Sequence, residues 1–292
     1  MRLKIDWNKI SLPEKISNNT LDNFHEHLRE QGLRETTIEN YIGNVQRYIK
    51  SAGSDNPSSD DYSRFRAYLH SRNLSRSTLN QYGYAIKAYH EMLGNNVDFK
   101  RIAPNNHIPL YFSADEVDRI FASVHNLKHL AMLQVLFYGC LRATELCNLN
   151  DEDVNLQTLT LRINNGKGGR DGIVYIKDEC ARILKDYLAV RPPLILERQQ
   201  PLFYTDYGQR WRRVDLYHMF ARYKAKAGIN KRGGLHVFSR HTPATIMISK
   251  GCDLRIVQRL LRHKDIRTTL RYAHVSDTVA RDWYNKSLKL ES

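Results

Sequence analysis

Between residues 33 and 93 the chain repeats itself. Leu33-Arg34-Glu35-Thr36-Thr37-Ile38-Glu39-Asn40-Tyr41 is echoed by Leu74-Ser75-Arg76-Ser77-Thr78-Leu79-Asn80-Gln81-Tyr82. Each copy runs into an apolar stripe: Ile38, Tyr41, Val45 and Tyr48 in the first, Leu79, Tyr82, Ile86, Tyr89 and Leu93 in the second. Steps of three and four residues put such a stripe on one helix face. A shorter candidate helix precedes each, over 21–30 and 60–71, and the run Ser54–Ser59, made only of Ser, Asp, Asn and Pro, separates the pairs. Two helix pairs are too few for a solenoid, in which each repeat buries its faces against neighbours. The first hundred residues are therefore expected to close on themselves as a four-helix unit.

Lys100–Pro109 holds two prolines and two asparagines without periodicity, which marks a boundary between domains over 1–99 and 110–292. Ser113-Ala114-Asp115-Glu116 then reads as a capping box, Ser113 at the N-cap and Glu116 three residues on. Leu130, Leu133, Leu136 and Phe137 mark a buried helix that ends near Gly139. The period next changes to two: Leu159, Leu161 and Ile163 alternate with Thr160 and Arg162, and Ile173–Ile176 follows after a glycine-rich loop. The remainder reads as helical. The fold class expected is mainly α with a small antiparallel β-sheet.

Composition narrows the function. No apolar run approaches the ~18 residues that a membrane span needs, and the N-terminus lacks the apolar core of a secretory signal. Cys140, Cys147, Cys180 and Cys252 form no Cys-x-x-Cys pair, which argues against a zinc site or a disulfide framework and for reduced thiols in the cytoplasm. The net charge is +14, of which residues 106–292 carry +11. Such a surplus favours a polyanionic partner, nucleic acid first.

Within that basic half, three short segments concentrate chemistry: Gly139–Glu145 with Arg142, His236–His241 with Arg240, and Leu260–Tyr272 with Arg262, His263 and Tyr272. A tyrosine hydroxyl, with an ordinary pKa of about 10, is a poor nucleophile. It becomes a useful one where cations stabilise the charge building on an attacked phosphate. Guanidinium groups do this well, because their planar forks match phosphate oxygens and stay charged. Taken singly, each residue has a plainer reading. Arg142 is either an anion ligand or a surface arginine, and Glu145 either braces it or is a solvated acid. Lys167, in Gly166-Lys167-Gly168, lacks the spacing of a phosphate-binding P-loop and is either a mobile donor or an exposed hairpin lysine. His236 and Arg240, four apart, share a helix face whether structural or reactive.

Taken together, Arg142, Lys167, His236 with Arg240, His263 and Tyr272 stand in an order and spacing that resemble the tyrosine recombinase (phage-integrase-like) family, closest to its compact Xer-like and archaeal members. The matching segments are Gly139–Glu145, Gly166-Lys167-Gly168, Arg240-His241-Thr242-Pro243-Ala244-Thr245, and Leu260-Leu261-Arg262-His263 with Thr268-Thr269 and Tyr272. The resemblance implies a SAM-like core-binding domain followed by a catalytic domain. It also implies a site-specific recombinase that cuts and rejoins DNA through a 3′-phosphotyrosine link without metal, ATP or cofactor. In that scheme Arg142 and Arg240 grip the scissile phosphate and Lys167 protonates the leaving 5′ oxygen. His236 and His263 bind the phosphate or move protons, and Tyr272 attacks. A type IB topoisomerase-like enzyme and a non-catalytic DNA-binding regulator are the alternatives. Three departures stand out. Val237 occupies the usual position of the second-box histidine, with His236 one residue earlier; Arg262 replaces a common glycine; and Pro243 sits inside a helix, where it is expected to kink it.

Further basic residues are candidate DNA contacts. Arg34, Arg47, Arg76 and Lys87 lie on the echoed helices, with Asn40, Asn80 and Gln81 as base readers. Arg210, Arg212, Arg213 and Lys224 cluster among aromatic residues, and Arg262 adds a phosphate contact. Val275, Val279, Trp283, Tyr284 and Leu288 recur at helical spacing near the C-terminus. That helix either packs on its own core or, as the resemblance implies, docks in a neighbouring subunit of a homo-tetramer on paired double-stranded DNA sites. The implied location is cytoplasmic, at the nucleoid.

Overall fold

The computed structural model describes residues 18–103, 109–166, 170–273 and Tyr284. The chain divides into two compact units, residues 1–106 and 107–292. It is mainly helical, with one small antiparallel sheet. Among the described residues no helix is long and apolar enough to cross a membrane.

The first unit holds α1 (Asn18–Glu30), α2 (Glu35–Ala52), α3 (Ser59–Ser71) and α4 (Arg76–Met92). The two echoed segments begin α2 and α4, and their stripes lie against each other. Ile38, Val45 and Ile49 pack with Ala85, Ala88 and Tyr89 and with Phe24 and Leu28 of α1. Tyr48 and Ile86 turn to the other side, against Tyr62, Phe65 and Leu69 of α3. Burying one such side chain stabilises by roughly 1.5–3 kcal/mol, so packing outweighs helix propensity here. Local chemistry sets the ends. The Ser58 hydroxyl accepts from the Asp61 N–H at 3.2 Å and the Asp61 carboxylate accepts from the Ser58 N–H at 2.8 Å, which starts α3. Ser75 caps α4 through the Thr78 N–H, whereas Arg34, its counterpart in the echo, gives α2 no side-chain cap. Gly53 stops α2 at φ 71°.

The segment after α4 folds back along that helix. A Cβ on Gly83 would lie 2.0 Å from the Phe99 ring, so only glycine admits it. Asn80, expected to read a base, is instead taken up inside the unit. Its Nδ2 donates to the Ile102 carbonyl at 2.8 Å and its Oδ1 accepts from the Ile102 N–H at 2.9 Å.

In the second unit the Ser113–Glu116 capping box opens α5 (Ala114–Ala122). The buried helix is α6 (Leu127–Tyr138), buried from Ala131 to Phe137 and central to the core. Then come α7 (Ala143–Asn148) and the sheet: β1 (Val154–Asn155), β2 (Thr160–Gly166) and β3 (Arg170–Tyr175). The strands are antiparallel in that order, with Leu161 opposite both Val154 and Val174. The sequence marked β2 and β3; β1, two residues long, is too short to show a period. The helices α8 (Asp178–Val190) and α9 (Arg213–Lys226) complete the core. A π-turn over Val237–His241 leads into α10 (Thr242–Ser249), followed by α11 (Leu254–Leu260) and α12 (Arg267–Leu270). Pro243 stands in the first turn of α10. The distortion expected of it appears one turn earlier, as the π-turn.

Candidate active site

Among the described residues, each candidate side chain sits where a helix starts or stops. After α6, Gly139 and Cys140 turn the chain: Cys140 has φ 49°, and a Cβ on Gly139 would meet the Val135 carbonyl oxygen at 2.8 Å. Arg142 then begins α7. Its N–H donates to Glu145 Oε2 at 2.8 Å and its Nη1 to Glu145 Oε1 at 2.6 Å. Arg262 donates from Nη2 to the same Oε2 at 2.5 Å. The Glu145 side chain is 4% exposed. Burial raises its pKa, but Arg262 and Arg142 together outweigh that and hold it below the usual carboxylate range. Of the two readings open for Glu145, the brace is therefore the observed one.

Arg262 adopts a left-handed backbone, φ 52°, which a glycine would take without strain. Its stem passes so close to β3 that a Cβ on Gly172 would lie 2.9 Å from Arg262 Cδ. Its Nε is buried without a partner.

Arg240 lies in the π-turn and is 2% exposed. It donates from Nη1 to the Cys140 carbonyl at 2.7 Å and from Nη2 to the Leu261 carbonyl at 2.5 Å. Among the described residues it forms no ion pair with a carboxylate. Burial, then Arg142, push its pKa down to about 10, still charged at neutral pH. A buried cation hydrogen-bonded to carbonyls and in no ion pair among the described residues suits an incoming anion. The same surroundings push the Cys140 thiol up to about 11, burial being the main cause.

Tyr272 follows α12 and is 1% exposed, packed on Cys140, Ala244, Ile248, Val257 and Leu261. Thr269 braces this turn: its carbonyl accepts the Tyr272 N–H at 3.0 Å, and its hydroxyl lies 2.9 Å from His263 Nδ1. Burial pushes the phenol up to about 12. Burial, with the charges of Arg240 and Arg142, pushes His263 down to about 3, so it is neutral. His241 Nδ1 lies 2.5 Å from Tyr272 Oη. His236 is exposed, and its ring meets that of His241 edge to face, centroids 4.9 Å apart.

Arg142, His236, Arg240, His263 and Tyr272 thus converge, joined by Glu145, His241 and Arg262. Lys167 lies outside the described residues, as do most of the C-terminal residues named for subunit docking. Sequence reasoning quoted His241 without giving it a task. On a regular helix a residue five after His236 points about 140° away, and only the π-turn brings the two together.

The candidate DNA contacts divide. Arg34, Arg47, Arg76, Lys87, Arg212 and Arg213 are exposed; of these, Arg76 donates to the Ala103 carbonyl, Lys87 pairs with Glu91 and Arg212 with Asp215. Arg210 and Lys224 are half-buried and make hydrogen bonds within the protein. Arg210 donates to the Cys147 and Leu149 carbonyls and to the Asn150 and Gln199 side chains, four acceptors for five N–H groups. Lys224 donates to the Lys231 and Gly233 carbonyls and ties down the loop after α9.

The phage integrase family profile matches residues 111–278, and the N-terminal SAM-like domain of phage integrases matches residues 9–96. The tyrosine recombinase XerD of Oceanobacillus iheyensis is 30% identical over 287 residues, 90% of this chain and 96% of that protein. The tyrosine recombinase XerA of Pyrococcus horikoshii is 28% identical over 287 residues, 96% and 97% of the two chains. A crystal structure of XerA recombinase superposes with a TM-score of 0.56 at 28% identity, covering 94% of this chain and 100% of the other. The Tn1549 transposon integrase, solved in complex with transposon right end DNA, has the same fold at 18% identity: TM-score 0.71, covering 92% and 99%. With the catalytic profile spanning more than half of its length and full-length relatives on either side of 30% identity, the chain belongs to the phage integrase family of tyrosine recombinases.

Proposed function

We propose that Tyr272 is the nucleophile of this recombinase, that Arg142 and Arg240 bind and charge-balance the scissile phosphate, and that His236 and His263 hydrogen-bond it. The enzyme is a tyrosine-type, site-specific DNA breaking and rejoining enzyme. Tyr272 Oη bonds to phosphorus, the P–O5′ bond breaks, and the 5′ oxygen takes a proton from Lys167. The 3′-phosphotyrosine ester conserves the bond's free energy, so a 5′ hydroxyl of the partner strand reverses the step without ATP. The arginines stabilise the five-coordinate phosphorane, each charge-assisted hydrogen bond contributing roughly 1.5–3 kcal/mol.

One observation carries this reading: Arg240, buried and in no ion pair among the described residues, is tied to the carbonyls of Cys140 and Leu261. Those carbonyls lie two residues before Arg142 and two before His263, so one cation gathers the three arginine-bearing segments around Tyr272.

Residues 1–99 form the core-binding domain, 100–109 the linker and 110–292 the catalytic domain. Double-stranded DNA is the partner. Arg34, Arg47, Arg76, Lys87, Arg212 and Arg213 contact its backbone, and Arg262 acts at the phosphate through its shared carboxylate. Work on paired sites as a cytoplasmic, nucleoid-bound homo-tetramer, joined by the C-terminal residues, completes the proposal.

The test is a nicked suicide substrate incubated with the full chain in EDTA. An SDS-resistant adduct should form, map to Tyr272 and vanish in Tyr272→Phe. Cleavage that requires a divalent ion, or an adduct that survives Tyr272→Phe, overturns the reading.

A further inference from the structure

His241 makes the closest contact to the nucleophilic oxygen among the described residues, 2.5 Å from its Nδ1, yet the roles above leave it idle. The backbone is built to put it there. Val237–His241 is a π-turn, closed by the Thr242 N–H on the Val237 carbonyl, a link five residues long instead of four. Pro243, next in line, has no N–H to donate to the Ser239 carbonyl four residues back, which removes one bond that would hold a regular α-turn. The wider turn absorbs the one residue by which this chain's His236–Arg240 spacing exceeds the family's, and it sets the His236 and His241 rings at 89° and 4.9 Å.

We infer that His241 is the catalytic base of the tyrosine, taking its proton at Nδ1 as the phenolic oxygen bonds to phosphorus. The inference rests on the reading of Tyr272 as nucleophile. Step by step, the Oη–H bond breaks and an Nδ1–H bond forms; the Oη–P bond forms and P–O5′ breaks; the leaving oxygen takes its proton from the separate acid, Lys167. In the resealing step the 5′ hydroxyl loses its proton to that acid's conjugate base and His241 returns its own to Tyr272. Nδ1 accepts only in the tautomer that carries hydrogen on Nε2.

The surroundings suit this task. His241 is faced by His236 and Arg240 from its own turn, by Arg271 and Tyr272 from the segment after α12, and by His263 from the segment after α11. Burial first, then His236, Arg271 and Arg240, lower its pKa and keep its imidazole neutral at rest, with a lone pair for the phenol. Burial keeps Tyr272 protonated. A bound phosphodiester adds negative charge among these cations, which makes the imidazole more basic as the phenol begins to lose its proton.

The test uses His241→Asn and His241→Ala in the full chain on the suicide substrate. Asparagine keeps an acceptor close to the position of Nδ1 and holds the hydrogen bond, but takes no proton. We expect both variants to bind DNA within threefold of the parent and to form adduct at least 100-fold more slowly, the usual range for a lost general base. The acidic limb of the parent's pH–rate profile should be absent in both, and added imidazole should partly restore His241→Ala. A 5′-phosphorothiolate substrate, whose leaving group needs no acid, should rescue neither. Adduct formation by His241→Asn within threefold of the parent shows a purely positioning side chain and overturns the inference. Rescue by the phosphorothiolate places the defect on the leaving-group side and overturns it as well. If the parent itself forms no adduct at Tyr272, the failure lies with the nucleophile assignment instead.

Discussion

At Glu145 two guanidinium groups meet one buried carboxylate, and the consequences of losing it are calculable. Glu145→Ala leaves Arg142 and Arg262 without their ion-pair partner, and breaking a buried pair costs about 3–5 kcal/mol. Urea unfolding should show that loss as a lower midpoint with an unchanged slope; a loss below about 1 kcal/mol would mean that Arg142 is held by other contacts. The sequence displayed the charged members of this site well. Arg142, Arg240, His263 and Tyr272 stood out because their types and order resemble the family's motif, and the fold brings them together. Glu145 was legible only as an alternative, since a carboxylate three residues after an arginine looks the same whether exposed or buried. His241 was not legible as a partner of Tyr272, because its placement depends on a turn that does not follow the 3.6-residue period. Arg210, Asn80 and Lys224 looked like DNA contacts for the converse reason: a donor's charge or amide is visible in sequence, but the carbonyl that occupies it is not.

The apolar stripes of the first unit marked all four of its helices, although α2 and α4 each divide their stripe between two clusters. α3, expected over 60–71, runs Ser59–Ser71. Cap chemistry did the same for α5. What the pattern could not reveal is the segment after α4, whose course depends on a missing side chain. Gly83 admits the Phe99 ring at a distance where a methyl cannot stand. Gly83→Ala should therefore expel Phe99 and cost about 1–3 kcal/mol, the usual penalty of overpacking, despite alanine's better helix propensity. Combined with Phe99→Ala the same change should turn neutral or stabilising, since up to about 1 kcal/mol of propensity then goes unopposed. Thermal melts of the single and double variants check this; additive losses would show that Phe99 is not the obstacle. β1 and the π-turn mark the other limit of pattern reading, one element too short and one too irregular to leave a period.

Across the whole molecule, pH acts through histidines that the fold keeps neutral. His129, His241 and His263 are pushed down to about 4, about 3 and about 3, with burial the largest cause at each. In the unfolded chain each would protonate near 6.5. The unfolded state therefore binds more protons between pH 6.5 and about 3. Their contribution to stability is complete above pH 6.5 and is lost as the pH falls through that window, at up to about 1.4 kcal/mol per unit for each group and less for the solvent each still meets. Tm of the full chain should hold between pH 8 and 7 and drop by several degrees by pH 5; an unchanged Tm at pH 5 would show that these imidazoles are protonated in the fold.

The near-contact of β3 with Arg262 ties the hairpin to the arginine pair. Where Gly172 stands, even one methyl would act as a wedge, prising Arg262 from the carboxylate it shares with Arg142. The packing of β3 is thus tied to the two arginines that share Glu145, although ninety residues of chain separate Gly172 from Arg262.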